Sequence, residues 1–138
     1  MALKSDRNEL QTDISFFMNE VATRGGVVSI STGGSGAANI AIGDQALSLN
    51  NSGAGHNIAI GQLAQYGVNS GQYNLTIGDR AGQNLTSGSY NVLLGAYSGN
   101  QNGLDLRTSS NNVVLSDGEG NVRKFINSSG DVGIKTTI

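Results

Sequence analysis

Asn39-Ile40-Ala41-Ile42-Gly43 returns as Asn57-Ile58-Ala59-Ile60-Gly61, Asn74-Leu75-Thr76-Ile77-Gly78 and Asn91-Val92-Leu93-Leu94-Gly95, with a degenerate fifth copy at Asn112-Val113-Val114-Leu115-Ser116. The steps from Asn to Asn are 18, 17, 17 and 21 residues. Self-similarity at such a period marks a stack of equivalent units, none of which buries its apolar face alone. The repeated positions hold packing and turn residues, which points to a structural or binding role.

A Ser-Gly pair precedes each of the first four Asn residues, at Ser35-Gly36, Ser52-Gly53, Ser70-Gly71 and Ser87-Gly88. Gly takes φ > 0 without steric cost, and Asn tolerates such turns better than most residues. Ser-Gly-x-x-Asn therefore reads as a corner, the phrase after it as a strand, and the closing Gly as a second corner. Residues i and i+2 of a strand share a face. Ile40 and Ile42, Ile58 and Ile60, Leu75 and Ile77, and Val92 and Leu94 thus form one stripe, read here as the repeat core, while Ala41, Ala59, Thr76 and Leu93 face the other way. Ala46, Ala64, Ala81 and Ser98, three residues past each closing Gly, mark a position of close backbone approach. Leu49, Val68 and Leu85 supply a weaker stripe on the returning segment.

A 17-residue coil with about three buried aliphatics encloses a thin core. At roughly 25 cal/mol per Å² of apolar area, its burial barely offsets the entropy of ordering it. Three chains around one axis cover the stripe from three sides, and oligomerisation is a usual remedy for a small core. The expected fold is mostly β: a homotrimeric β-roll or β-solenoid of 17–18-residue repeats, with a short N-terminal helix-plus-strand anchor and a C-terminal β-hairpin cap.

The array spans 33–104, where Asp44, Asp79 and Arg80 are the charged residues. Residues 1–32 differ. Ile14, Phe17, Met18 and Val21 fall at i, i+3, i+4 and i+7, one face of a helix that Thr12 or Asp13 caps and Gly25-Gly26 ends. Val27 to Ser31 then reads as a short strand. A helix of about ten residues is marginal alone in water, so its apolar face docks, either on its own domain or, as preferred here, on a partner protein. In 105–138, Asn112 to Leu115 repeats the strand, Asp117 to Gly120 is a turn, and Val122–Asn127 and Val132–Ile134 make a hairpin around Ser128-Ser129-Gly130-Asp131. This hairpin caps an edge that would otherwise invite aggregation.

Composition sets further bounds. With 21 Gly, 13% charged residues and 5% aromatics, the chain resembles a low-complexity tract. It has no Pro, however, and carries regular aliphatic triplets, which favours an ordered, turn-rich β protein over disorder. A net charge of −2 without clustered Lys and Arg excludes a nucleic-acid surface. The absence of Cys excludes disulfides and thiolate metal sites. No apolar run reaches the roughly 20 residues of a membrane span, and the start lacks the pattern of a secretory signal. Synthesis in a cytoplasm without membrane insertion is expected.

Catalytic chemistry has little to stand on. His56 is the only histidine and reads as a solvent-facing turn residue, since metal clusters and nucleophile triads both need convergent partners. Gly33-Gly34-Ser35-Gly36 lacks the spacing of a phosphate loop. Asp117, Glu119 and Asp131 read as turn residues rather than as a metal or hydrolytic cluster. No catalytic residue, cofactor or metal is expected. Tyr66, Tyr73, Tyr90 and Tyr97 are the notable aromatics. Tyr73 and Tyr90 share one repeat position, where they stack between coils or present their faces to a glycan.

The Ser-Gly-x-x-Asn repeats resemble those of bacteriophage fibre proteins and are similar to the head repeats of trimeric autotransporter adhesins. The stretch from Asn111 to Arg123, with Gly130 to Thr137, resembles the segment before the self-cleaving chaperone of phage tail fibres and spikes. Leu3 to Arg7, Asp13 to Glu20 and Arg24 to Val28 resemble the opening of small phage proteins that decorate or cement capsids. The resemblance implies a virion protein made in the host cytoplasm. It would be a trimeric knob or short fibre held to capsid or cement protein by its N-terminal segment, and would aid adhesion to host surfaces. A tail fibre that binds a receptor is the alternative, and a glycan-cleaving tailspike a more distant one.

Overall fold

The computed structural model describes residues 28–31, 38–49 and 53–134. The strands are β1 Val28–Ser31, β2 Asn39–Ile42, β3 Ile58–Ile60, β4 Leu75–Ile77, β5 Val92–Leu94, β6 Asn100–Gln101, β7 Leu104–Asp105, β8 Val113–Ser116, β9 Val122–Ile126 and β10 Val132–Ile134. No helix occurs among the described residues. The chain winds into a β-solenoid of about four turns. Each pentapeptide contributes one strand, and β2, β3, β4, β5 and β8 lie side by side in parallel.

The register is the sequence repeat itself. Ile40, Ile58, Leu75, Val92 and Val113 are paired neighbours, and so are Ile42, Ile60, Ile77, Leu94 and Leu115. Parallel strands need a long return, and here the rest of the coil supplies it. The return is hydrogen-bonded to the next coil as well: Leu47 N–H donates to the Ala64 carbonyl (3.1 Å), Gln65 to Ala81 (2.8 Å) and Gly82 to Tyr97 (2.9 Å). The ladder therefore runs around the coil and does not stop at the sheet edge.

The inside and outside of the strand are the reverse of the sequence expectation. Ala59, Thr76, Leu93 and Val114 are fully buried and Ala41 nearly so, whereas Ile40, Ile42 and Ile77 are 36–38% exposed. Ile58, Ile60, Leu75, Val92 and Leu94 are half-buried. The eight residues read as the repeat core do share one face, but it is the outer face of the coil. The reason is room. A thin coil accepts small side chains on its inner wall, and two rows of Ile and Leu do not fit there.

Size is also exchanged across the interior. The inward strand residue runs Ala41, Ala59, Thr76, Leu93, while the position six residues on runs Leu47, Gln65, Gly82, Gly99. A Cβ on Gly82 would lie 2.8 Å from Thr76 Cγ2, so the larger inner residue needs the smaller partner. Ala64 and Ala81 are fully buried at the close-approach position, with Ala46 and Ser98 only half-buried. Of the second stripe, Val68 and Leu85 are buried and joined by Leu106, but Leu49 is exposed.

At one end β1 pairs antiparallel with β2, in agreement with the strand expected near Val27 to Ser31. At the other, β9 pairs antiparallel with β8 and β10 with β9, forming the expected hairpin. The 21-residue step comes from an unforeseen hairpin, β6 with β7, inserted in the last coil. Its turn is Asn102-Gly103, both at positive φ (54° and 84°). This is the two-residue geometry that Asn-Gly favours, and the dipeptide was a signal available in the sequence.

Candidate functional site

The expected corner role of the repeated Asn is only partly right. The left-handed residue is the one before it: His56 (φ 59°), Tyr73 (57°), Tyr90 (58°) and Asn111 (62°). The Asn side chains themselves turn inward and form a buried ladder. Asn39 Oδ1 accepts from Asn57 N (2.8 Å), Asn57 from Asn74 (2.9 Å), Asn74 from Asn91 (3.0 Å) and Asn91 from Asn112 (3.0 Å). The Nδ2 of Asn39, Asn57, Asn74 and Asn91 donates to the corner carbonyl of Ala54, Gly71, Gly88 and Ser109 respectively, at 2.8–3.2 Å, and that of Asn112 to the Ser110 carbonyl (2.9 Å). Buried polar groups must be paired, and this ladder pairs the corner backbone of every coil.

The left-handed turn throws the preceding aromatic outward. His56, Tyr73 and Tyr90 stack in a column on the surface, with centroids 4.7 and 4.9 Å apart and rings within 11° of parallel. Stacking between coils is therefore observed. It also covers both faces of the Tyr73 ring, leaving its edge and hydroxyl to solvent. Sugar recognition by aromatics uses ring faces, so the column offers a glycan little beyond its two ends.

Beside this column runs the outer face of the sheet. Its two rows hold Ile, Leu and Val from β2, β3, β4, β5 and β8, and none of these strands carries a charged residue. Five strands at about 4.8 Å spacing make the face roughly 20 Å tall. The anchor residues Ile14, Phe17, Met18 and Val21 lie outside the described residues.

Charges sit at the corners and the cap. Arg107 forms a two-pronged pair with Asp105, whose carboxyl it holds below the usual carboxylate range. Arg123 and the backbone amides of Glu119 and Asn121 hold Asp117 at about 2. Asp131 accepts from Asn127 Nδ2 across its own turn. These carboxylates serve turns, as the sequence reading expects. Tyr97 is fully buried and donates to the Leu104 carbonyl (2.8 Å), tying β7 to the coil. Burial, with Asp105 nearby, pushes its hydroxyl well above the ordinary tyrosine value.

His56 is exposed and its ring is committed to the column. Among the described residues no three His, Cys, Asp or Glu converge on a metal-sized space, and no helix is long and apolar enough to cross a membrane. Comparison with protein families, curated proteins and solved structures finds no match for this chain.

Proposed function

We propose that this chain is a non-catalytic structural module that assembles through the outer face of its sheet into a homotrimer. The trimer forms a knob or short fibre on the surface of a phage particle. The observation that carries the reading is the charge-free double row of aliphatics on β2–β5 and β8, repeated in register over every coil. A monomer that left such a face wet would expose a large contiguous apolar patch, which marks an interaction site. Self-assembly is favoured because the face is as regular and neutral as the surface it would meet. The phage setting rests on the N-terminal and C-terminal resemblances, with residues 1–32 as the mount.

Sedimentation equilibrium of the full chain tests the assembly: three chains per particle are expected, and a monomer or dimer sinks the trimer. Mixing the purified chain with isolated phage heads and tails tests the mount. Co-sedimentation with heads that is lost on deleting residues 1–24 supports capsid attachment. Binding to tails alone would move the module to a receptor-binding fibre.

A further inference from the structure

A second surface lies on the returning segments, away from the sheet. Tyr66 and Gln83 stand 17 residues apart at one position on successive coils, and Asn100, in the inserted strand β6, lies near them. All three line a groove of about 500 Å³, with the exposed Leu49 at its edge. The floor is bare backbone at Gly67, where a Cβ would lie 2.9 Å from the Gln83 carbonyl oxygen, with Asn84 next to it. Thr86 and Arg107 line the groove as well.

Three properties of this groove limit what it binds. First, the side-chain amides of Gln83, Asn84 and Asn100 make no hydrogen bond among the described residues. Several surface amides elsewhere are engaged: Gln72 Nε2 donates to the Gly53 carbonyl, Gln101 Nε2 to the Glu119 carbonyl and Asn127 Nδ2 to Asp131. Each free amide offers both donor and acceptor. Second, Tyr66 is half-buried and stacks on no other described ring, unlike Tyr73. Third, the groove's one cation, Arg107, is neutralised by Asp105 at 2.7 Å.

A neutral groove does not attract nucleic acid or an acidic chain. The backbone amides of Gly67, Asn84 and Thr86 already donate to the adjoining coil, so no strand adds here. What remains is recognition by planar amides, a hydroxyl and an aromatic face, in a volume within the range of small-ligand sites. That combination suits vicinal hydroxyls and an apolar C–H face presented together. We infer that this groove binds a neutral oligosaccharide lying along the solenoid axis, with one sugar against Tyr66 and its neighbours between the amides of successive coils. A pyranose is close in length to the rise of one coil, so a sugar against Tyr66 sets its neighbour beside Gln83 on the next coil. The proposal moves the glycan site from the Tyr73–Tyr90 column to the opposite segment of the coil, and it does not depend on the trimer.

A glycan array printed with neutral hexose and N-acetylhexosamine oligosaccharides beside sialylated and sulfated ones, probed with the full chain, gives the first test. Retention on neutral glycans is expected. Calorimetric titration with the best-retained neutral oligosaccharide then compares variants. Asn84→Ala and Asn100→Ala, at exposed positions that leave the fold intact, should each weaken binding about fivefold, the worth of one hydrogen bond. Tyr66→Ala should weaken it at least tenfold, with circular dichroism to confirm folding, and Tyr90→Ala should change nothing. No retention, retention on charged glycans alone, or affinity that follows Tyr90 and ignores Asn84 and Asn100 would overturn the assignment.

Discussion

Asn74 shows how one residue type holds the solenoid together. Its Oδ1 accepts from the backbone and side-chain nitrogens of Asn91, and its Nδ2 donates to Gly88 and Asn57. Removing that amide strands several buried partners at once, each costing about 1–3 kcal/mol. Asn74→Ala should therefore lower unfolding free energy by about 3 kcal/mol, read by urea denaturation. Gln65 is the opposite case. It is fully buried, and its Nε2 has no hydrogen-bond partner among the described residues, although its Oε1 lies 3.3 Å from Thr76 Oγ1. One coil earlier the same position is Leu47, at nearly the same left-handed φ (54° against 50°). Gln65→Leu should stabilise the chain by about 1 kcal/mol, since an apolar side chain of similar shape removes the cost of an unpaired amide. A lower midpoint in urea would contradict this. The Asn repeat was plain in the sequence, but its role was not: a period reports that a residue is needed, not whether its side chain points in or out.

At the scale of elements, strands and corners were legible because their signals are local. The pentapeptides became β2–β5 and β8, and the turns at 117–120 and 128–131 joined β8, β9 and β10 as expected. What was not legible is which face of a strand is inside, because alternation fixes the partition and only the coil's width fixes the choice. The low-volume series Ala41, Ala59, Thr76 was the available clue, and Leu93 obscured it until Gly99 is set against it. The β8–β9 turn carries its own electrostatic prediction. Asp117 is held at about 2, below the ordinary 3.8, chiefly by Arg123. The folded chain thus binds this proton more weakly than the unfolded chain, so the turn's contribution is complete above pH 3.8 and is lost as pH falls through about 2. Thermal midpoints should decline across that window, and Asp117→Asn should flatten the decline. Because the carboxylate is partly exposed at the surface of this turn, salt should flatten it too.

For the whole molecule, the question is what covers the sheet's outer face. Within one chain, each Ile there is shielded only by its neighbours in the row, which leaves Ile42 at 37% and Ile77 at 38% exposure. An Asp at either position would stand in water if the face were free, costing the monomer no more than about 1 kcal/mol in strand preference. If three copies close over the face, the same Asp is buried without a partner, and the cost rises to several kcal/mol for each chain. The two cases separate in one experiment. Ile77→Asp should keep the far-UV circular dichroism of the parent while its sedimentation falls from trimer to monomer at micromolar concentration, a loss of at least about 100-fold in association. Ile42→Asp should do the same from the other end of the row, where β1 pairs with β2. An Ile77→Asp chain that stays trimeric would place the interface elsewhere, and the aliphatic rows would then need another cover.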